Sequence, residues 1–143
     1  ATLNGGRIGI ASLAIGLAGG AFNLAKAYSQ ERVQFGRPIS NLQAIRFKLA
    51  EMAMRIETAQ LVTYKAAWYK DQKKANPMAS AMAKAIAAEA ATYVTKEAIQ
   101  IHGGNGYTSE YQVERMWRDA KITEIFEGTD EVQRVVISKM LLG

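Results

Sequence analysis

Asn76-Pro77-Met78-Ala79-Ser80-Ala81-Met82-Ala83-Lys84-Ala85-Ile86, continued through Ala90, Val94 and Ala98 to Ile101, is the run whose reading decides the fold. Asn76 is a helix cap, and Pro77 suits a first turn, where its missing N–H is not needed. Met78, Met82, Ile86, Ala90, Val94, Ala98 and Ile101 then recur at spacings of three and four, the stripe of one helix face. Many alanines surround the stripe, so this helix packs close to its neighbours and is expected at the centre of the domain. The methionines read as core filler rather than cofactor ligands.

Helices are expected on both sides of it. Ser40-Asn41-Leu42-Gln43 has capping-box spacing and opens a long helix to about Lys74, with Leu42, Ile45, Leu49, Met52, Ile56, Ala59 and Thr63 as its seam. At ~1.5 Å per residue that helix approaches roughly 50 Å. Residues 7–30 read as the first helix, with Ile8, Leu13, Ile15, Leu17, Phe22 and Leu24 as its apolar surface. Its glycines each weaken it by about 1 kcal/mol relative to alanine, and close approach of another helix is the expected compensation. Downstream, Ser109-Glu110-Tyr111-Gln112 repeats the capping-box spacing and opens a fourth helix to about Lys121. A last helix runs from Asp130 to Leu142, with acids in its first turn and Val132, Val135, Val136 and Met140 on its buried side. No alternating strand pattern bounded by hairpin turns is present. The expected fold is all-α: an up-and-down four-helix bundle with an additional short C-terminal helix, one domain over 1–143.

Composition narrows the function. The 143 residues can bury a core without disulfides, and there is no cysteine to form one. With His102 the sole histidine, no multi-histidine or thiolate metal site can be built. The net charge of +5 is spread among acids rather than gathered in a block, which disfavours nucleic acid and membrane as partners and suits a partly anionic small ligand. The N-terminal run is small rather than greasy, with no expected stretch of about 18 strongly apolar residues. The chain begins at Ala1 without an initiator Met, which is the expectation for a fragment or a processed product.

Three loops carry residues suited to chemistry. Arg32-Val33-Gln34-Phe35-Gly36-Arg37-Pro38 offers two guanidiniums, an amide and a ring, a set able to grip a dinucleotide; a polar connection with Phe35 tucked into the core is equally open. His102-Gly103-Gly104-Asn105-Gly106 is either a glycine-rich helix stop or a turn of amides facing an anion. Ile125-Phe126-Glu127-Gly128-Thr129 sets a carboxylate between a ring and a glycine, where one helix stops and the next starts. Burial beside Phe126 would raise the pKa of Glu127, and Gly128 would let a ligand reach the backbone. An exposed turn glutamate is the other reading. Thr129 is placed to cap the helix that follows.

Taken together, Asn4-Gly5-Gly6-Arg7-Ile8-Gly9, Arg32 to Gly36, Gln100-Ile101-His102-Gly103-Gly104-Asn105-Gly106-Tyr107, Arg118-Asp119-Ala120-Lys121-Ile122 and Ile125 to Thr129 occur in one order across the whole chain. That series resembles the C-terminal helical domain of the acyl-CoA dehydrogenases, in the short- or medium-chain, butyryl-CoA dehydrogenase-like branch. The resemblance implies a longer subunit, whose N-terminal helical and middle β domains are absent from these residues. It also implies removal of a proton from the acyl-CoA α-carbon with hydride transfer from the β-carbon to flavin N5. Isolated from the rest, the domain is expected to be inactive.

The same resemblance assigns roles to residues. Glu127 matches the catalytic base, and its backbone amide a donor to the thioester carbonyl; Asn4, Arg7 and Gly128 match substrate contacts. Arg32, Gln34 and Phe35 match the loop that reaches the FAD of a neighbouring subunit. Gln43, Gln100, Ile101, His102, Gly103 and Gly104 match further FAD contacts, with Gln43 both cap and contact. Thr129, Asp130 and Glu131 match contacts with the cofactor of their own subunit. Related branches carry the base just before the first-helix arginine, where this chain has Gly6, and His102 stands where a leucine is frequent. The implied partners are acyl-CoA, an electron-transfer flavoprotein and further copies of the chain, as a dimer or tetramer. The implied compartment is the cytoplasm in a bacterium or the mitochondrial matrix in a eukaryote. An acyl-CoA oxidase, or a non-catalytic self-association module, is the alternative.

Overall fold

The computed structural model describes residues 2–74 and 76–143. It contains α1 (Thr2–Glu31), a two-residue hairpin of β1 (Val33–Gln34) and β2 (Arg37–Pro38), α2 (Gln43–Asp71), α3 (Pro77–His102), α4 (Val113–Thr123) and α5 (Asp130–Leu142). Short 3-10 turns cover Ile39–Asn41 and Gly103–Tyr107.

α3 is the centre, as its alanines require. The Asn76 side chain accepts from the Ala79 amide at 2.9 Å, which fixes the start. Ala81, Ala83, Ala87, Ala88, Ala91, Val94 and Ala98 are fully buried, because α3 touches every other helix. Lys48 pairs with Glu97, and the Arg55 guanidinium lies 4.0 Å over the Tyr93 ring, so α2 runs antiparallel to α3. Asp130 pairs with Lys84 and Arg134 with Glu89, so α5 runs parallel to it. The all-α bundle is therefore the observed class; the hairpin at Arg32–Pro38 is a small addition to the expected strand-free chain.

Several expectations are corrected by packing. The buried seam of α1 is Ala11, Ala14, Ala18, Ala21 and Ala25, whereas Leu13 and Leu24 are exposed. Two alanine-rich helices approach too closely for large side chains between them, so Ile8, Ile15 and Phe22 pack at the flanks. Among the glycines of α1, Gly20 makes room for the Met116 methyl, 2.8 Å from where a Cβ would stand; Gly9, Gly16 and Gly19 face open space. The helix also starts earlier than residue 7. Over 18 residues its mean hydropathy reaches 1.7, so it is long and apolar enough to cross a membrane, contrary to expectation, with a third of that window buried in the bundle.

The two serine capping boxes do not form. Ser40 lies inside the 3-10 turn that buries Ile39, and Leu42 occupies the cap of α2 without a side-chain bond. Gln43 is thereby free of capping. Gln112, not Ser109, precedes α4, again without a side-chain bond. α5 buries Asp130 and Gln133, while Val132, Val135 and Met140 are exposed. On α2, Met52, Ala59, Thr63 and Ala66 are buried, and Phe47, Met54, Leu61 and Trp68, seven residues apart, stand mostly exposed on the outer side.

Candidate functional site

After α4 the chain turns back on itself, and the loop closes where the Asp130 amide donates to the Glu124 carbonyl at 3.0 Å. Within it, Glu127 (φ 57°) and Gly128 (φ 87°) are both left-handed. For a glutamate this backbone is strained by about 1–2 kcal/mol. Glu127 is exposed, and Phe126 does not bury it. Its carboxylate lies against α1: Oε2 is 2.6 Å from where a Cβ on Gly6 would stand. Any side chain at position 6 would claim the space the carboxylate occupies. The Glu127 amide N–H has no acceptor among the described residues.

Beside it, Arg7 is 7% exposed, with Nη1 donating to Asn4 Oδ1 at 3.1 Å. Its Nε has no hydrogen-bond partner, and no carboxylate among the described residues pairs with it. A buried cation left with one neutral acceptor suits an anionic or carbonyl-rich ligand. Asn4, Arg7, Glu127 and Gly128 thus gather at one end of the bundle. Thr129 caps α5, its Oγ1 accepting from the Val132 amide at 3.3 Å. The Glu131 carboxyl is held below the usual range by hydrogen bonds to its own amide and to the Thr129 hydroxyl. Asp130 turns inward: burial pushes its carboxyl up, and Lys84, 2.8 Å away and fully buried, pulls it back.

The remaining residues lie at the far end of α1. From Gly6 to Glu31 the helix rises about 38 Å at ~1.5 Å per residue. There Arg32, Gln34, Ile101, His102, Gly103 and Gly104 line one cleft of about 440 Å³ with Tyr28 and Asn105. Phe35 (φ 53°) and Gly36 (φ 73°) form the hairpin tip, and the Phe35 ring is 86% exposed, which excludes a core role within this chain. A guanidinium, an amide, a glycine turn and an unattached ring are a donor set that fits the anionic backbone and flat base of a dinucleotide. Gln43 begins α2 at the same end and is exposed. Gln100 faces a separate cavity of about 490 Å³, with Tyr107, Trp117 and Arg118. His102 is buried, stacked on Tyr28 at 4.2 Å, its Nδ1 2.7 Å from the Ala98 carbonyl.

Residues 1–142 match the family described as acyl-CoA dehydrogenase, C-terminal domain. The chain belongs to the acyl-CoA dehydrogenase family. It is 56% identical over 141 residues to the probable acyl-CoA dehydrogenase YngJ of Bacillus subtilis, covering 99% of this chain and 37% of that one. The mitochondrial short-chain specific acyl-CoA dehydrogenase of Bos taurus is 53% identical over 141 residues, with 99% and 34% covered. The butyryl-CoA dehydrogenase structure from Megasphaera elsdenii superposes with a TM-score of 0.98 at 51% identity, covering 99% of this chain and 37% of that one. The chain therefore spans about a third of the length of the relatives it matches.

Two contributors carry no sequence signal of their own. Gln133 is fully buried, its Nε2 facing the carbonyls of Glu127, Gly128 and Thr129. It reads in the sequence as an ordinary helix-surface amide between Val132 and Arg134. Lys84 sits among alanines and reads as the solvated face of α3. Gln133 takes its role from the loop folded over it, and Lys84 from Asp130 of α5.

Proposed function

We propose that the chain is the C-terminal helical portion of an FAD-dependent acyl-CoA dehydrogenase and supplies its catalytic base. The observation that carries this reading is the Glu127 carboxylate occupying the side-chain space of Gly6, beside Arg7 and Asn4. An acyl thioester laid along that end of α1 would present its α-carbon to the carboxylate. Glu127 takes the α-proton, and its own unpaired amide N–H donates to the thioester carbonyl, stabilising charge that builds on that oxygen. The exposed carboxylate becomes a stronger base when ligand and the remaining domains exclude water. Arg7, braced by Asn4, places a positive charge at that end for the ligand.

The chemistry supplied by bound FAD is acceptance of the hydride that leaves the β-carbon. The residues that would hold it fall into two sets. Thr129 and Glu131 lie beside the base, with Asp130 bracing their loop. The cleft of Arg32, Gln34, Ile101, His102, Gly103 and Gly104, with Phe35 and Gln43 at its rim and Gln100 nearby, lies about 38 Å away. One chain cannot offer both ends to one cofactor, so the far cleft serves the cofactor of another copy. Assembly into a dimer or tetramer follows, and the exposed stripe of Phe47, Met54, Leu61 and Trp68 on α2, repeated every seven residues, fits a face covered in that assembly. Electrons pass to an electron-transfer flavoprotein, in the bacterial cytoplasm or the mitochondrial matrix.

The test is Glu127→Gln in the complete enzyme. Flavin content is expected to stay unchanged, while anaerobic flavin reduction by butyryl-CoA slows by about 10²–10⁴-fold or more. Reduction at the parent rate would refute the base assignment.

A further inference from the structure

We propose that Gln133 is a positioning residue that holds the base loop in its reactive conformation, an inference that rests on Glu127 being the base. Gln133 lies in the first turn of α5 and is 0% exposed. Its Nε2 is 2.8 Å from the Gly128 carbonyl, 3.3 Å from that of Glu127 and 3.4 Å from that of Thr129. One carboxamide nitrogen, with two protons, thus gathers three successive carbonyls of one loop. The amide orientation follows from chemistry, since Oε1 in that place would face three like dipoles. Oε1 instead points where no donor meets it among the described residues. A buried acceptor without a partner is costly, and it offsets part of what the donor side of the amide contributes through the three carbonyls.

The loop explains the amide. Glu127 is left-handed without being glycine, a conformation that persists only when its surroundings hold it. Release of the three carbonyls would let Glu127 relax to an ordinary φ. Its carboxylate would then swing away from Gly6, and its N–H away from the thioester carbonyl. Gly128 is mated to the same contact: a Cβ there would stand 2.9 Å from Gln133 Nε2. Its bareness is used from inside the protein, as well as by its φ. Gln133 touches no substrate and acts through the backbone of Glu127.

The experiment uses the complete enzyme and two variants that keep the side chain's length. Gln133→Met removes the donor; Gln133→Glu replaces it with an acceptor that three carbonyls repel. Met52→Ala, a core truncation on α2 remote from the loop, controls for lost stability. Both Gln133 variants are expected to keep flavin content and to slow anaerobic flavin reduction by butyryl-CoA about 10- to 100-fold, the scale of a displaced reacting group. kcat should fall more than KM rises, and the kinetic isotope effect with α-deuterated substrate should increase. Met52→Ala should lower Tm at least as much and keep the rate within about twofold of the parent. Gln133→Met or Gln133→Glu at the parent rate would overturn the proposal, as would Met52→Ala losing as much rate. Failure of both Gln133 variants to assemble with flavin would overturn it in favour of structural bracing. Run in parallel, Glu127→Gln separates the two claims: its retained activity removes the base reading, whereas its loss beside active Gln133 variants removes only this one.

Discussion

His102 shows how a titratable side chain in the cleft beside Arg32 is kept uncharged. It stacks on Tyr28, meets Tyr111 edge-on at 5.6 Å, and lies 2.7 Å from the Ala98 carbonyl. Burial lowers its pKa, with the Ala98 carbonyl partly opposing. In the unfolded chain the ring titrates near its ordinary value of about 6.5. Above that pH it is neutral in both states and contributes no pH dependence. As pH falls below it, the unfolded chain takes up the proton first, so stability declines until the folded pKa is reached, by at most about 1.4 kcal/mol per pH unit. His102→Phe should flatten that decline; urea titrations at pH 7.5 and 5.5 measure it, and an unchanged slope would show that another group is responsible. At this scale much of the site was legible: Glu127, Gly128, Arg7 and Asn4 do converge on one end of α1, and Gly6 is bare where the carboxylate sits. Gln133 was not legible, because its significance depends on the backbone conformation of Glu127, six residues away.

At the level of elements, α5 is held by its first turn rather than by a greasy face. Lys84 is fully buried with Asp130 Oδ1 at 2.8 Å as its partner. Asp130→Ala should therefore destabilise the protein by about 3–5 kcal/mol, the effect of stranding a buried ammonium. Adding Lys84→Met should recover most of that loss, and thermal unfolding of the single and double variants reads it directly. Caps were legible where the signal is local, as at Asn76 and Thr129, whose side chains do accept first-turn amides. They failed at Ser40 and Ser109, where turns set by the burial of Ile39 and Val113 came first. The alanine seam of α1 was hidden for a related reason. Hydrophobic patterning credits large side chains with the core, whereas close helix contact favours small ones.

On the scale of the whole molecule, the order of helices and the central place of α3 follow from spacing and small residues in the sequence. So does most of the distance between the Glu127 end and the Arg32 cleft, because residues 7–30 already read as one helix and the structure lengthens that rod to Thr2–Glu31. That rod has a genetic consequence. Where the Glu127 end of one copy shares a cofactor with the Arg32 cleft of another, a defect at Glu127 on one kind of subunit and a defect at Arg32 on the other would fall in the same composite site and leave the reciprocal site intact. Co-expression of Glu127→Gln with Arg32→Ala subunits, each inactive alone, should restore a fraction of wild-type turnover, because some sites in the mixture inherit both good halves. A double variant carrying both lesions on one chain, mixed with itself, should restore nothing. Two alleles that each abolish the enzyme could then coexist in one cell and leave it working.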